Sequence, residues 1–301
     1  MPQAQTIDGK LAAAELRASV ATIVKKLKVD HNLVPGLAVV MAGQDPASRI
    51  YTRNKIRQTE ATGMHSLHRE LPENITENEL IQEVRALNEN KSVHGILVQL
   101  PLPPHINTNL ILDLISPEKD VDGFHPANAG RLATGRDSLV PCTPQGCILL
   151  LRRVLPNLAG LHAVIVGRSN IVGKPLVQLF LAEHCTVSIA HSRTKNLQKL
   201  CSQADILVAA VGCPEMVRGD WIKPESIIID VGINRVNGPG ESIRIVGDVA
   251  FDEASRVAKA ITPVPGGVGP MTIACLLSNC VKAACRQHGI PQPTLALNLP
   301  T

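Results

Sequence analysis

Tyr51 and Lys55 lie four residues apart in the segment from Ser48 to Lys55. On a helix this spacing places a phenol ring and an ammonium group on one face. The ring can stack on a flat substrate while the amine exchanges protons with it. A surface lysine packed along a tyrosine has the same spacing, so the pair alone leaves a catalytic and a structural interpretation open.

A second pair of polar residues lies where strands and turns are expected. Gln99 is near the end of an apolar run, and open α/β sheets bind ligands at the carboxyl ends of their strands. Asp122 lies in a long, polar, turn-rich segment and precedes Gly123, which allows close backbone approach. A carboxylate there could accept two hydrogen bonds from an N–C–NH₂ edge of a ligand. Asp120 is the competing carboxylate, and an ordinary strand end and an exposed turn remain the structural alternatives.

A glycine turn follows an apolar run at Val166. Gly167, Arg168, Ser169 and Gly173 lie between this predicted strand and a predicted helix, an arrangement that binds a pyrophosphate at the helix N-terminus. The match to G-x-G-x-x-G is imperfect, since Ser169 occupies the second glycine position and Gly173 comes one residue late. A plain strand-to-helix turn is the alternative.

The end of the next predicted strand indicates which dinucleotide would bind. NAD-binding domains carry an acidic residue about 20 residues after the glycine turn. This chain has His191, Ser192 and Arg193 there and no acid. Together with Arg168 they could surround a 2′-phosphate, so the sequence favours NADP, although a solvated loop would have the same composition.

Two further segments contain residues that could take part in chemistry. Cys142 could be a nucleophile, but no base is apparent beside it, and a small structural residue at a helix start is the preferred interpretation. The glycine run from Pro263 to Pro270 would let backbone approach a ligand at another helix N-terminus, or form a tight connection. None of the 8 cysteines forms a Cys-x-x-Cys pair and no histidine cluster has ligand spacing, so no metal is expected.

Apolar runs alternate with helical patterns along the chain, which predicts an α/β fold with mostly parallel sheets and flanking helices. We expect two domains: 1–145 plus 271–301, a catalytic domain closed by the C-terminal helix, and 146–270, a Rossmann-like, doubly wound nucleotide-binding domain. The turn-rich segment 116–135 interrupts the pattern as a long loop. The strand candidates are 37–41, 95–100, 163–167, 186–190, 205–210 and 227–230.

Composition excludes several classes of protein. The chain has 301 residues and a formal charge of +4, from 30 Lys+Arg against 26 Asp+Glu, too little for a nucleic-acid partner. Only 3 Phe, 1 Trp and 1 Tyr are present, so recognition of RNA by aromatic platforms is disfavoured. No run of about 18 apolar residues predicts a membrane span, and the N-terminus lacks a signal-peptide pattern. A cytoplasmic protein is expected.

Six segments together resemble one family, the bifunctional methylenetetrahydrofolate dehydrogenase/methenyltetrahydrofolate cyclohydrolases. They occur in the family's order and span nearly the whole chain. The segments are Tyr51-Thr52-Arg53-Asn54-Lys55, the run from His94 to Pro103, Pro117-Glu118-Lys119-Asp120-Val121-Asp122-Gly123, Pro141-Cys142-Thr143-Pro144, Val166-Gly167-Arg168-Ser169 with Val172-Gly173-Lys174-Pro175, and the run from Pro263 to Thr272.

The resemblance implies two reactions at one site, in a cleft between the domains. NADP⁺ oxidises 5,10-methylenetetrahydrofolate to the methenyl cation, and water opens the cation to 10-formyltetrahydrofolate. The catalytic residues that the resemblance implies are Lys55, Tyr51, Gln99 and Asp122. Lys55 would be the acid/base, oriented by Gln99, while Tyr51 and Asp122 also hold the folate. The other residues that the resemblance implies are Ser48, Pro265, Gly266 and Gly267 for substrate, and Gly167, Arg168, Ser169, Gly173, His191, Ser192, Arg193 and Ile233 for cofactor.

The resemblance also implies a homodimer that acts in one-carbon metabolism and supports purine, methionine and histidine biosynthesis. The chain ends at Thr301 without a P-loop, so the formate-activating ligase domain of larger eukaryotic relatives is not expected. Three alternatives stay open: a dehydrogenase without the hydrolase step, another NADP reductase such as a shikimate-type enzyme, and a catalytically silent NADP-binding sensor or scaffold.

Overall fold

The computed structural model describes residues 3–43, 46–238 and 243–293, and only the backbone of residues 46–48. The chain divides into two compact units. The first comprises the described residues within Met1–Ala14 and Thr143–Thr272, and the second those within Glu15–Cys142 and Ile273–Leu297. Both contain parallel strands and helices, which confirms the predicted α/β class.

The elements of the first half of the chain are β1 (Gln5–Thr6), α1 (Gly9–His31), β2 (Gly36–Ala42), α2 (Pro46–Ala61), β3 (His65–Leu71), α3 (Glu77–Glu89), β4 (Gly95–Val98), α4 (Thr108–Leu114), α5 (Pro126–Ala133) and α6 (Cys142–Arg152). Those of the second half are β5 (His162–Val166), α7 (Gly173–Ala182), β6 (Thr186–Ala190), α8 (Leu197–Cys201), β7 (Ile206–Ala209), β8 (Ile227–Asp230), β9 (Asn234–Asn237), β10 (Ile243–Val246), α9 (Phe251–Ala254), β11 (Ala260–Ile261) and α10 (Val268–Gln287).

The second unit is built on a parallel sheet of three strands in the order β3-β2-β4. All seven residues of β2 are buried, since they form a continuous apolar run of the kind that central parallel strands carry. α3 begins with a capping box, in which Thr76 accepts from the Glu79 backbone N–H and Glu79 accepts from the Thr76 backbone N–H. β2 and β4 pair in parallel, with Val40 opposite Val98, so their carboxyl ends lie side by side. Gln99 directly follows β4 at this edge of the sheet.

The first unit contains a six-stranded parallel sheet in the order β1-β11-β8-β7-β5-β6. The chain passes from β5 to β6 on one side and then returns to β7 on the other side of β5. The strand order thus reverses between β5 and β7, and such a switch point is where doubly wound sheets bind nucleotides. β9 and β10 form a separate antiparallel pair.

α10 is a largely apolar helix. Its residues from Ile273 onward belong to the second unit, where Cys280 lies against the Gly36 carbonyl and Gln287 donates to the His94 carbonyl at 2.9 Å. By length and composition it is the one helix in the described ranges that could cross a membrane, with a hydropathy of 1.4. Of the relevant window 72% is buried, as in the core helix of a globular domain.

The structure differs from the sequence prediction in several places. β3 was not predicted, because most of its residues are polar and apolar and polar side chains do not alternate regularly along it. The predicted loop 116–135 contains a helix, α5, which begins at Pro126 after the cap His125. Residues 3–14, predicted to lie in the domain 1–145, group with the first unit, in which β1 pairs with β11.

Candidate active site

Lys55 and Gln99 come from different elements and meet in the second unit. Lys55 lies on α2 and is 9% exposed, and its Nζ donates to Gln99 Oε1 at 2.8 Å. The Gln99 amide nitrogen in turn donates to the Leu100 carbonyl at 2.7 Å, while its backbone N–H donates to Val40 in β2. Gln99 therefore has a fixed orientation and presents its amide oxygen to the lysine.

The environment of Lys55 makes its ammonium form less stable than it is in water. Burial lowers the pKa of Lys55, and the nearby Asp122 charge opposes this effect only in part. Burial likewise raises the pKa of Asp122 to about 6, against the attraction of the Lys55 ammonium. An amine and a carboxyl that both titrate closer to neutrality than usual are suited to proton transfer in a substrate complex.

The loop before Asp122 is held by its own charged residues. Lys119 donates to the carbonyls of Leu87, Asn88 and Asn90 at 3.2, 2.7 and 2.8 Å, which caps the C-terminal end of α3. Asp120 accepts hydrogen bonds from the backbone N–H groups of Phe124 at 3.1 Å and His125 at 2.8 Å and from the Asn128 side chain at 2.9 Å. Asp120 is thus engaged in the loop, a role that its sequence position did not reveal.

Asp122 differs from Asp120 in having a free carboxylate. Its oxygens accept no hydrogen bond from any residue that the structure describes, and it is only partly buried. The following Gly123 has φ of +74°, and a Cβ there would lie 2.6 Å from the Pro141 nitrogen. The turn therefore requires glycine, and it leaves Asp122 available to a ligand.

Cys142 is a structural residue in this arrangement. Its thiol is 2% exposed and lies 3.3 Å from the Val121 carbonyl, which also accepts from Asn279 of α10 at 2.8 Å. Burial raises the pKa of the Cys142 thiol well above its ordinary value, so the thiolate is disfavoured. The preference for a structural cysteine over a nucleophile agrees with this geometry.

Tyr51 lies one helical turn before Lys55 on α2, with 39% of its surface exposed. Partial burial raises the pKa of its phenol, which keeps the ring neutral. An exposed neutral ring beside a buried amine can stack on a flat ligand. The side chain of Ser48, also predicted to contact substrate, lies outside the described residues.

The glycine turn of the first unit lies at the switch point of the six-stranded sheet. Gly167 directly follows β5 and has φ of +131°, and a Cβ there would lie 2.1 Å from the carbonyl oxygen of Ala210, which directly follows β7. A Cβ on Gly173 would lie 2.0 Å from the Gly167 carbonyl oxygen. Ser169 Oγ accepts from the Val172 N–H at 3.1 Å and so shapes the turn before α7. These close approaches fit the binding of a pyrophosphate by the backbone of the turn. The sequence alone left this open, because serine replaces the second glycine of the motif.

Exposed polar side chains follow β6 beside this turn. The His191 ring accepts from the Arg193 N–H at 3.1 Å, while Ser192 and Arg193 point to solvent. Arg168 is exposed, and within the described ranges neither arginine has an ion-pair partner. Ile233, predicted to contact cofactor, follows β8 and is 52% exposed.

Asp230 and Asp248 were not predicted and support the same end of the sheet. Asp248 accepts from the N–H groups of Val211 and Gly212, at 2.6 and 3.0 Å, and so orders the loop after β7. Asp230 accepts from the Asp248 and Val249 N–H groups at 2.9 Å each, and burial raises its pKa to about 7. Their sequence signal was weak, because an aspartate after an apolar strand is an ordinary feature.

The predicted substrate residues Pro265, Gly266 and Gly267 lie in the first unit, in the loop before α10. Gly266 has φ of +112°, and a Cβ on Gly9 would lie 1.7 Å from the Gly267 carbonyl oxygen. The loop therefore packs against the start of α1 through bare backbone. The structure thus brings Lys55, Gln99, Asp122 and Tyr51 together in one unit, and places the glycine loops in the other.

Within the described part of the chain, no group of three or more His, Cys, Asp or Glu side chains could hold a metal ion.

Two family models match the chain. The one described as "Tetrahydrofolate dehydrogenase/cyclohydrolase, catalytic domain" covers residues 7–122, and "Tetrahydrofolate dehydrogenase/cyclohydrolase, NAD(P)-binding domain" covers residues 141–288. The chain belongs to the tetrahydrofolate dehydrogenase/cyclohydrolase family. It is an enzyme with both activities, an oxidoreductase and a hydrolase of tetrahydrofolate derivatives that uses a nicotinamide cofactor.

Relatives within the tetrahydrofolate dehydrogenase/cyclohydrolase family are similar over almost their whole length. "Bifunctional protein FolD" of Cereibacter sphaeroides is 59% identical over 290 residues, covering 96% of this chain and 98% of its own. A crystal structure of the bifunctional enzyme of Campylobacter jejuni has a TM-score of 0.90 at 46% identity, covering 94% of this chain and 99% of that one. The Trypanosoma brucei enzyme, complexed with NADP cofactor and inhibitor, has a TM-score of 0.91 at 39% identity, covering 96% and 99%.

Proposed function

We propose that Lys55, Gln99 and Asp122 carry both reactions of this enzyme: NADP-dependent oxidation of 5,10-methylenetetrahydrofolate to the methenyl cation, and hydrolysis of that cation to 10-formyltetrahydrofolate. The observation that supports this most directly is the 2.8 Å bond from the buried Lys55 amine to Gln99, beside an Asp122 carboxylate that accepts no bond from the described residues. One free carboxylate and one oriented amine supply substrate binding and proton transfer.

Substrate orientation is the protein's main task in the oxidation. NADP⁺ supplies the hydride acceptor. The two nitrogens that flank the reacting carbon of the substrate stabilise the cation that forms, so no protein base has to remove a proton. Tyr51 would stack on the folate rings and Asp122 would accept from the pterin N–C–NH₂ edge, which fixes the reacting carbon. Ser48, Pro265, Gly266 and Gly267 are further substrate contacts in this proposal.

Proton transfer is the task in the hydrolysis. Water adds to the methenyl carbon and loses a proton, and the bond from that carbon to N5 then breaks as N5 gains a proton. A neutral Lys55 amine would accept the first proton and donate the second, while Gln99 Oε1 orients it. The lowered pKa of Lys55 and a cationic substrate both favour the amine form that this sequence needs.

The residues around the glycine turn fit NADP. The bare backbone of Gly167 and Gly173 leaves room for a pyrophosphate at the start of α7. The 2′-phosphate would lie among Arg168, His191, Ser192 and Arg193, since arginine pairs well with phosphate and no acidic residue repels it there. Ile233 would pack against the cofactor with its exposed side chain.

A spectrophotometric assay with methylenetetrahydrofolate tests this function. NADH or NADPH formation is followed with NAD⁺ and NADP⁺ in parallel, and hydrolysis of the methenyl cation is followed by its own absorbance. Reduction of NADP⁺ with hydrolysis of the cation supports the proposal. Equal use of both cofactors would contradict the proposed 2′-phosphate site. A methenyl product that the enzyme does not hydrolyse would contradict the proposed role of Lys55.

We further propose a cytoplasmic homodimer without nucleic-acid or membrane partners, acting in one-carbon metabolism. In this proposal it supports purine, methionine and histidine biosynthesis. The expected cleft between the domains stays a prediction. Sedimentation at several protein concentrations would contradict the dimer if it gave the mass of a single 32.2 kDa chain throughout.

A further inference from the structure

A buried carboxylate, Asp248, connects two segments that carry exposed residues at the carboxyl end of the six-stranded sheet. Its side chain is fully buried. Oδ2 accepts from the N–H groups of Val211 and Gly212 at 2.6 and 3.0 Å, in the segment that follows β7. Oδ1 accepts from the Asn234 side-chain amide at 2.9 Å, at the start of β9. One carboxylate therefore fixes the segment after β7 against the segment after β8.

The surrounding backbone leaves room for this carboxylate. A Cβ on Gly232 would lie 2.3 Å from Asp248 Oδ1, so the carboxylate can approach because position 232 is glycine. A Cβ on Gly247 would lie 1.8 Å from Oδ2 of Asp230, whose Oδ1 accepts from the Asp248 N–H at 2.9 Å. Both the side chain and the backbone of Asp248 are thus held in place, and support of this kind keeps a functional segment in one geometry.

The two segments expose positions that a ligand could contact. Gly212 is exposed, and a Cβ there would meet no atom of the described residues within 4 Å. Ile233 is 52% exposed, although its neighbours Gly232 and Asn234 are buried. Open parallel sheets bind ligands outside the carboxyl ends of their strands, beside the switch point, which here lies between β5 and β7. The segments that Asp248 fixes therefore border the expected cofactor crevice.

The strand order indicates which half of the cofactor these segments would meet. In the proposed function the pyrophosphate lies at the start of α7, and the 2′-phosphate lies among residues that follow β6. β6 is on one side of β5, whereas β7 and β8 are on the other. A dinucleotide that crosses the switch point from the β6 side would have its nicotinamide half over the ends of β7 and β8.

We propose that Asp248 is a positioning residue for the nicotinamide half of NADP⁺. It acts through the backbone of Val211 and Gly212 and through Asn234, which follows Ile233. The inference rests on the proposed cofactor site at this edge of the sheet. Orientation of the reacting groups is the protein's main contribution to the oxidation, and a misplacement of about 1 Å can lower a rate about 10²-fold.

The separate effects on kcat and KM test this role. Asp248→Ala removes the acceptor of both segments, so kcat for NADP⁺-dependent oxidation should fall about 10–100-fold. The KM for NADP⁺ should change little, because the proposed pyrophosphate and 2′-phosphate contacts lie beside β5 and β6. Hydrolysis of added methenyl cation uses no cofactor and should stay near the wild-type rate.

Two further variants keep the test informative if Asp248→Ala is unstable. Asp248→Asn retains one side-chain oxygen for the N–H groups of the segment after β7, and the Asn234 amide can turn its own oxygen toward the new NH₂ group. This variant should recover most of kcat. Gly232→Ala keeps the carboxylate and displaces it by steric contact, so its kcat should fall as in Asp248→Ala.

Asp205→Ala is the matched structural control. Asp205 also accepts from a backbone N–H, that of His162 at 2.8 Å, but it lies at the amino ends of β5 and β7. Its replacement should lower the melting temperature and leave kcat and KM of the oxidation unchanged.

Cys213 gives a readout that does not depend on activity. All 8 cysteines lie in the described ranges, and only Cys213, directly after Gly212, is exposed. Its modification by dithionitrobenzoate should be several-fold slower in wild-type protein saturated with NADP⁺. In Asp248→Ala without cofactor it should be several-fold faster than in wild type, because the segment is released. The buried thiols should stay unreactive in both proteins.

Three results would overturn the inference. Equal losses in oxidation and hydrolysis, with reaction of buried thiols, would mean that Asp248 serves folding alone. A higher KM for NADP⁺ at unchanged kcat would mean that it supports binding without orienting the nicotinamide ring. Modification of Cys213 at one rate with and without NADP⁺ would place the nicotinamide half elsewhere. Failure of the proposed function is distinct, since wild-type protein itself would then not reduce NADP⁺.

Discussion

Around Lys55 the functional groups are side chains that are buried and oriented by other side chains. Around Gly167 they are backbone groups that approach one another because side chains are missing. The Lys55 amine is hydrogen-bonded to Gln99, and burial lowers its pKa below the ordinary value. Gly167 and Gly173 instead leave no room for a methyl group. The reaction site therefore depends on charge in a buried setting, and the nucleotide turn depends on shape.

This contrast makes different substitutions informative in each region. Near Lys55, changes that keep volume and alter proton chemistry should have the strongest effect. Near Gly167, one added methyl group should matter more than a charge.

Lys55→Met is expected to have the largest effect. Methionine keeps a similar stem and removes the amine, so hydrolysis of the methenyl cation should fall by about 10²–10⁴-fold, the usual contribution of a general acid/base. The oxidation needs no proton donor and should fall less, so the methenyl product should accumulate. Its absorbance in a stopped assay measures this directly.

Lys55→Arg sharpens the test, since a guanidinium keeps the charge and does not release a proton near neutral pH. It should fail to restore hydrolysis. Lys25→Met, at an exposed position of α1, is the control and should behave as wild type. Wild-type hydrolysis in Lys55→Met would falsify the assignment and point to Tyr51 or a bound water.

Asp122→Asn should weaken folate binding in both reactions. The two carboxylate bonds to the pterin edge are charge-assisted, each worth about 1.5–3 kcal/mol, so the KM for folate should rise roughly 100-fold. The affinity for NADP⁺ should stay near the wild-type value. Steady-state kinetics of both reactions with varied folate and fixed NADP⁺ give the measurement.

Asp120→Asn is the matched control for Asp122→Asn. Asp120 accepts three bonds from its own loop, so its replacement should lower the melting temperature rather than act on folate alone. A normal folate KM in Asp122→Asn would reverse the roles of the two carboxylates.

Gly173→Ala tests shape in the nucleotide turn. The added Cβ would lie 2.0 Å from the Gly167 carbonyl oxygen, so the backbone must shift at a cost of about 1–3 kcal/mol. NADP⁺ affinity should fall about 10–100-fold, measured by calorimetric titration, with hydrolysis of added methenyl cation little changed. Gly130→Ala, where no atom lies within 4 Å, should change neither. Undiminished NADP⁺ binding by Gly173→Ala would show that the turn is not a cradle.

Arg168→Ala tests charge in the same region. Loss of one contact to the 2′-phosphate should raise the KM for NADP⁺ about tenfold or more and leave that for NAD⁺ nearly unchanged. Lys199→Ala removes an exposed cation of α8 as a control. An equal rise for both cofactors would remove Arg168 from the 2′-phosphate site and transfer the role to Arg193.

The elements that position both regions were largely predictable from sequence. β2, β4 and β5 are short apolar runs with turn residues after them, so their ends, and hence Gln99 and Gly167, could be placed before any coordinates. β1 and β11 could not be predicted, because two-residue strands carry no pattern. The polar strand β3 escaped detection for a related reason, since its residues show no clean alternation of apolar and polar side chains.

Residue types were less informative than contacts in the loop before Asp122. From sequence, Asp120 and Asp122 are equivalent carboxylates two residues apart. Only the structure shows that Asp120 binds the N–H groups of its own loop and that Lys119 caps α3. Hydrogen bonds of this kind join residues that no periodicity relates, so the choice between the two carboxylates required the fold.

The smallest expected effect is on the pH dependence of stability, and it tests whether Asp122 is as desolvated as Lys55. Its pKa is raised to about 6 in the folded protein, above the value of about 3.9 for an unfolded chain. Between these values the folded state binds more protons than the unfolded state, so this carboxyl makes the free energy of unfolding fall as pH rises. Asparagine does not titrate, so in Asp122→Asn this contribution to the fall in the free energy of unfolding is absent.

The free energy of unfolding of Asp122→Asn, relative to wild type, should therefore increase between about pH 4 and about pH 7.5, by on the order of 1–2 kcal/mol, a value reduced for the partial exposure of the carboxyl. Urea denaturation of both proteins at the two pH values measures it. Asp230, whose pKa is raised to about 7, is present in both proteins, so its contribution cancels in the difference. A difference that stays constant with pH would mean that water solvates the Asp122 carboxyl, and the contrast between a buried, charge-dependent site and an open, shape-dependent turn would then hold for Lys55 alone.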